Sequence, residues 1–405
     1  MPSIVARFTN SVARRTTNWT TPYGTDQCIT SLYCCGYKNA NWVCPRLGAL
    51  AIKGSILLDF RGTEVRLKVP KGAVQRCSLN SDDVDEVFFG NVLSSGLGQG
   101  PARQCAIAAG LSHRPICTTI NKVCASSMEA IILGTQSIML GNGTVIIAGG
   151  TDSMSNAPHY VTTVPSHATR RESRHIRLGD QSLIDSILKD GFIDALQNRH
   201  VGVHGESCAS EMHIDRRTQD DYANESYRKA LAASKAGRFA GISPIRLKTD
   251  HGKSSRLITQ DEEITIPVKE GTSAVKRPAF KTDGTITAHN AAPLNDGAAA
   301  AVLISEERMK ELGINPIAKI LGWGEAEREP ERFTIAPALA IPKAIQHAGL
   351  LVDEIEFYEI NEAFSVAALA NMTLLGLDAA KVNVYGGAVA IGHPLARTIV
   401  VQIDQ

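Results

Sequence analysis

The chain has no surplus of either charge: 42 Lys and Arg stand against 41 Asp and Glu, a formal net charge of +1. A surface built to coat nucleic acid or an anionic bilayer carries a clear basic excess, so neither partner is expected. Aromatic residues are scarce, at 5%. No apolar run approaches the roughly 18 residues that a membrane-spanning helix needs. No C-x-x-C pair occurs among the nine cysteines, which stand at positions 28, 34, 35, 44, 77, 105, 117, 124 and 208. The count is odd and zinc-ligand spacing is absent, so neither a disulfide framework nor a zinc site is signalled. The simplest reading is a reducing compartment in which most of these thiols are small buried hydrophobes and one is a candidate nucleophile.

What is present is a long, core-rich chain. Its 405 residues are 43% hydrophobic and include 34 glycines, enough for two domains or one duplicated α/β body. Residues 1–25 hold Arg7, Arg14 and Arg15, many Ser and Thr, and no acid, a pattern resembling a mitochondrial presequence, with the cytoplasm as the alternative compartment. Up to Trp42 neither helical nor strand periodicity is evident. Helical spacing is expected over Leu47–Leu58 and Pro101–Ala109, and after Cys124. Strands are expected at Val84–Gly90, Thr118–Val123 and Thr144–Gly150. Residues 155–280 are more polar, rich in His and Arg, and read as an inserted loop domain with a helix at Thr218–Ala236. Beyond it come a strand at Thr285–Ala288, a small-residue helix at Asp296–Ala301, and strands at Val302–Ser305 and Ala318–Trp323. The series ends with helices at Pro337–Ala348 and Phe364–Leu375 and strands at Glu356–Ile360 and Lys381–Val384. This alternation defines an α/β protein.

Four motifs could carry chemistry. In Asn121-Lys122-Val123-Cys124-Ala125-Ser126 the cysteine sits at a strand-to-helix junction, where free N–H groups and the helix dipole favour thiolate; a buried structural cysteine is the plainer reading. In Gly386-Gly387-Ala388-Val389-Ala390-Ile391-Gly392-His393-Pro394, a histidine in a glycine-rich turn is an accessible base or a turn histidine. Glu359-Ile360-Asn361-Glu362-Ala363-Phe364 offers either a helix cap with an acidic first turn or an oxyanion-polarising amide. Leu294-Asn295-Asp296-Gly297 is a tight turn or a close backbone approach to a ligand.

Together, in this order and spacing, the four motifs resemble those of the thiolase family. The likeness includes Gly98-Gln99-Gly100-Pro101-Ala102-Arg103-Gln104 and Gly149-Gly150-Thr151-Asp152-Ser153-Met154, and it runs from about Leu47 to Pro394. The Val-Cys-Ala-Ser context and Asn156-Ala157-Pro158-His159 resemble the biosynthetic, acetoacetyl-CoA-forming branch. The resemblance implies two similar βαβαβαββ halves in a five-layered α/β/α/β/α body, divided as residues 1–45 (atypical), 46–306 and 307–405. It implies an acetyl-CoA C-acetyltransferase supplying isoprenoid and sterol precursors, with acetyl-CoA and CoA as substrates, no metal or redox cofactor, and a homodimer or homotetramer. It assigns Cys124 as acetyl carrier, His393 as the base that takes the thiol proton, and Asn361 as holder of an oxyanion-hole water. His159, Ala279 and Phe280 would line the pantetheine end.

The chain departs from the family in four places. Ala292 stands where relatives carry a pantetheine-side serine, implying weaker CoA contacts. Lys189-Asp190-Gly191 is followed by Ala195-Leu196, not by the tyrosine of relatives with a potassium site. Residues 1–44 do not show the expected first strand. After His393 no second cysteine follows, so impaired activity is expected. A degradative 3-ketoacyl-CoA thiolase and an inactive acyl-CoA-binding relative are the alternatives.

Overall fold

In a computed structural model the described residues are 2–8, 41–43, 48–53 and 73–396, except 74, 76, 162–179, 181, 240–241, 243, 250–253, 260, 266–276 and 317. The strands are β1 (Pro2–Phe8), β2 (Asn41–Val43), β3 (Gly48–Lys53), β4 (Glu86–Gly90), β5 (Ile116–Ile120), β6 (Val145–Ser153), β7 (His159–Val161), β8 (Leu183–Asp185), β9 (Ile245–Thr249), β10 (Ser254–Ile258), β11 (Asn295–Ser305) and β12 (Ala318–Glu325). The α-helices are α1 (Pro101–Ala108), α2 (Ser126–Met139), α3 (Val201–Glu211), α4 (Arg216–Lys235), α5 (Glu262–Thr265), α6 (Glu306–Leu312), α7 (Pro337–Ala348), α8 (Ser365–Leu375) and α9 (Ala388–Ile391).

One mixed sheet dominates, in the order β1-β12-β2-β11-β6-β4-β5, with β3 also paired to β11. β4 runs parallel to both β5 and β6, whereas β11 is antiparallel to β6. Strand side chains alternate between faces, and here each face meets its own apolar cluster. Val145 and Ile147 of β6, with Ala300, Val302 and Ile304 of β11, join Val87, Phe89 and the α1 residues Ala102, Cys105 and Ala106. Ile146 and Ala148, with Ala299, Ala301 and Leu303, face the other way onto Ile131 and Ile132 of α2. Ile341 and Ile345 of α7 and Ile355, Tyr358 and Ile360 belong to that second cluster. Helix α2 therefore lies in a layer shared by the sheet and the C-terminal part of the chain.

Several sequence expectations need correction. Residues 1–44 do contain a strand: β1 pairs antiparallel with β12 from Pro2–Glu325 to Phe8–Ala318. The Leu47–Leu58 segment supplies strand β3 where helical spacing was read, because Gly48–Lys53 finds a ladder along Ala300–Asn295; residues 54–58 lie outside the described ones. Asp296–Ala301 is likewise strand, the first part of a continuous β11. Alanine's helix preference is worth only tenths of a kcal/mol per residue, and here it loses to ladders on both sides of a wholly buried strand. The Thr285–Ala288 strand is absent, since the Glu206 carboxylate takes the Thr285 and Ile286 N–H groups at 2.8 Å each. Glu356–Ile360 and Lys381–Val384 meet as one parallel bridge, Tyr358–Val382. Among the cysteines, Cys77 is disulfide-bonded, whereas Cys105, Cys117, Cys124 and Cys208 are free thiols.

Ile132 is 1% exposed, between sheet and helices. Ile132→Ala is expected to cost about 2–5 kcal/mol of unfolding free energy, from lost transfer and a residual cavity. Urea denaturation measures this; a loss below 1 kcal/mol would mean that the layer is loosely packed.

Candidate active site

Cys124 lies in the turn between β5 and α2, two residues ahead of the first helical residue. Val123, just before it, is held at φ +49°, a conformation disfavoured for a β-branched side chain and typical of functional turns. The turn is over-determined: Ser126 Oγ accepts from Lys122 N at 2.9 Å and donates to the Val123 carbonyl at 2.6 Å, while Asn121 Oδ1 accepts from Val123 N at 3.1 Å. Some of the residue's surface reaches solvent, but Cys124 packs among Val92, Leu93, Met154, Leu395 and Ala396. Burial, then the negative charge of Asp152, push its thiol up to about 12. The expectation that the helix end favours thiolate is therefore not met: apolar surroundings and a nearby carboxylate outweigh it.

His393 is buried, 6% exposed. Its backbone N–H donates to Asn295 Oδ1 at 3.2 Å, and the Asn295 amide donates to Glu263 at 3.0 Å. Gly392 takes φ +81° against Asn295, where an added Cβ would fall 2.0 Å from the amide oxygen. The Asn361 amide nitrogen lies 3.4 Å from His393 Nε2, and Asn361 Oδ1 is buried with no hydrogen-bond partner among the described residues. Asn361 and His393 thus meet directly. Ala292 joins them through Ala292 N to Ala363 O, 3.1 Å, beside the Ala291–Phe364 bridge.

Phe280 packs edge-on to Phe364, with centroids 5.7 Å apart, and stacks on His200 at 4.7 Å. Ala279 N donates to Ile286 O at 2.8 Å, tying this segment to residue 286. His159 stands apart from this group. It is exposed on β7, and its nearest charged partner is Asp185 at 3.9 Å. A cavity of about 610 Å³ borders the cysteine turn, lined by Val92, Ser94, Asn121, Val123, Gly191 and Val201 among others. That is an ordinary volume for a small-molecule site. Among the described residues no group of three His, Cys, Asp or Glu could hold a metal.

Sequence reasoning missed the supports. Glu362 is no helix cap: fully buried, it accepts from Tyr222 OH (2.8 Å), Ser226 Oγ (2.9 Å), Asn383 Nδ2 (2.6 Å) and Val389 N (3.0 Å). Asp152 accepts from Asn91 Nδ2 (3.0 Å), Val92 N (3.1 Å), Leu93 N (2.9 Å) and Ala396 N (2.7 Å). Both lie inside the quoted motifs. The available signal was an acid flanked by apolar and small residues, which costs several kcal/mol to bury unless hydrogen-bonded.

The family model for the thiolase N-terminal domain matches residues 49–307, and that for the thiolase C-terminal domain matches residues 314–403. The chain belongs to the thiolase family. Its thiolase fold is shared with the crystal structure of a thiolase from Ascaris suum in complex with coenzyme A, at a TM-score of 0.81 and 40% identity over 90% of this chain and 92% of that one. The cytosolic acetyl-CoA acetyltransferase of Gibberella zeae is 57% identical over 80% of each chain. The acetyl-CoA acetyltransferase of Schizosaccharomyces pombe is 50% identical, again over 80% of each. In this thiolase Asn361 and His393 meet, and Leu395 and Ala396, just after His393-Pro394, share an apolar cluster with Cys124.

Glu359, beside this group, is also buried, and burial followed by the charge of Glu362 raises its carboxyl well above the usual range. A carboxyl with a raised folded-state pKa contributes stability fully below its unfolded value, near 4.5, and loses it as pH rises through the folded value. Glu359→Gln, neutral at every pH, is therefore expected to melt above the wild type at pH 7.5 and level with it at pH 4. Calorimetry at the two pH values checks this, and equal melting temperatures at both would contradict it.

Proposed function

We propose that this thiolase is an acetyl-CoA C-acetyltransferase, joining two acetyl-CoA molecules reversibly into acetoacetyl-CoA and CoA through an acetyl-Cys124 intermediate. The observation that carries the reading is the meeting of Asn361 with His393 at 3.4 Å, on the loop whose next residues, Leu395 and Ala396, pack on Cys124. His393 takes the thiol proton; with the thiol resting near 12, attack on the thioester waits for that transfer. Sulfur attacks the acetyl carbonyl, and CoA leaves as its thiol with the proton that His393 carried; the freed imidazole then takes the methyl proton of a second acetyl-CoA, whose enolate attacks the acetyl-Cys124 carbonyl, and the Cys124 thiolate leaves and recovers that proton. Asn361, with a buried amide oxygen that lacks a partner among the described residues, suits the water of an oxyanion hole.

Ala292 and Phe280 lie beside the segment Ala363–Phe364 and would meet the pantetheine arm, with Ala279 beside them. His159, exposed on β7, would meet the substrate at the pantetheine end. Relatives named acetyl-CoA acetyltransferases at 57% and 50% identity support the substrate, and the cytosolic name of one of them supports a cytoplasmic site of action. Homodimers or homotetramers are part of the reading, and sedimentation would measure them.

Incubation of purified protein with acetyl-CoA, followed by peptide mass spectrometry, is expected to find the acetyl group on Cys124. Acetoacetyl-CoA thiolysis is followed alongside. Cys124→Ser should lose the adduct, and His393→Ala should slow its formation by about 10²–10⁴-fold, the range for removal of a general base. An acetyl group that persists in Cys124→Ser would overturn the assignment. Equal turnover of long-chain 3-ketoacyl-CoAs would replace the acetoacetyl reading with the degradative one.

A further inference from the structure

The cysteine turn and the histidine loop are joined by a group to which neither motif assigns a role. Asp152 ends β6, 1% exposed. Oδ1 accepts from Val92 N, Leu93 N and Asn91 Nδ2, and Oδ2 accepts from Ala396 N. Val92 and Leu93 follow β4 and form one wall around Cys124; Leu395 and Ala396, just after His393-Pro394, form another. The approach is close on the backbone as well: a Cβ on Gly150, two residues before Asp152, would lie 1.9 Å from the Ala396 carbonyl oxygen.

We propose that Asp152 is a positioning residue for acyl transfer: one buried carboxylate ties the backbone wall of Cys124 to the backbone that follows His393. The proposal rests on the reading of Cys124 as acetyl carrier. Cys124 packs against an apolar cluster of Val92, Leu93, Met154, Leu395 and Ala396. The charged group that acts on the thiol is Asp152 from β6. Four donors converge on the carboxylate, which suits it to the ionised, acceptor-only form. An amide in its place would turn an N–H toward at least one of these donors and would remove the charge that opposes thiolate formation.

The test compares wild type, Asp152→Asn and Asp152→Glu by two readouts. One is the pH profile of iodoacetamide alkylation at Cys124, followed by mass spectrometry; the other is kcat and KM for acetoacetyl-CoA thiolysis. In Asp152→Asn the midpoint of the alkylation profile should move to lower pH by about one unit, giving roughly tenfold faster labelling at pH 7, while kcat falls at nearly constant KM. A more reactive thiol in a slower enzyme is the signature of positioning. Loosened packing alone would speed labelling equally at every pH with an unmoved midpoint, and that result overturns the proposal, as does an unchanged profile. Asp152→Glu keeps the charge and both acceptors, so its profile should match the wild type with kcat within a few-fold. Should Asp152→Asn fail to fold, a displaced midpoint in Asp152→Glu overturns the proposal and a matching one supports it. Alkylation needs no turnover, so a failure of the proposed reaction would appear in thiolysis and acetyl-adduct formation while leaving this comparison readable.

Discussion

The site depends on buried carboxylates that accept hydrogen bonds from the histidine loop. Ala396 N is held by Asp152, Val389 N by Glu362, and His393 N by Asn295, whose amide is held in turn by Glu263. This stretch is held both by buried apolar side chains, among them Ala390, Ile391 and Leu395, and by its N–H groups. A charged acceptor gives a bond such as that from Ala396 N to Asp152 about 1.5–3 kcal/mol, against a desolvation cost of several kcal/mol per buried ion. That cost is offset only while every bond is made. The arrangement therefore favours one position of the loop and penalises small displacements, as acyl transfer requires of its groups.

The same carboxylates explain the state of the nucleophile. Enclosed by apolar side chains and near Asp152, Cys124 rests as thiol. A free thiolate would react with any electrophile that entered the cavity. A neutral thiol becomes a nucleophile only when a base is present, which couples its reactivity to the position of His393. Glu362 extends the coupling to the amide: it adjoins Asn361 in sequence, and its carboxylate holds Val389 on the histidine loop. A shift of that loop would therefore disturb the imidazole and its asparagine neighbour together.

Much of this was legible in the sequence because glycine, proline and short catalytic motifs carry strong local signals. The helices Pro101–Ala108 and Pro337–Ala348 and the strand Val145–Ser153 follow from terminal prolines and an unbroken apolar run. The residues Cys124, Asn361 and His393 were readable from their motifs, and the structure brings the last two into contact. What was not legible depended on partners distant in the chain. The alanines 298–301 look helical in isolation, and only pairing with β6 on one side and β3 on the other makes them strand. Residues 285–288 have strand character, yet a glutamate some 80 positions earlier takes their N–H groups. Glu362 and Asp152 look like ordinary turn acids until the donors converging on them are seen.

Those small residues of β11 and β6 have a consequence for the site. Gly149 lies against the Ala299 carbonyl, where a Cβ would approach within 2.2 Å, and Gly150 against that of Ala396. A larger side chain at either position would push the end of β6 away, and Asp152 lies at that end. The glycine pair thus sets how close the sheet comes to the histidine loop, and Asp152 converts that closeness into hydrogen bonds. Sheet packing and thiol chemistry meet in a few residues of β6, so a substitution that relaxes the strand, even one remote from sulfur, should act on the Cys124 thiol before it acts on the stability of the fold.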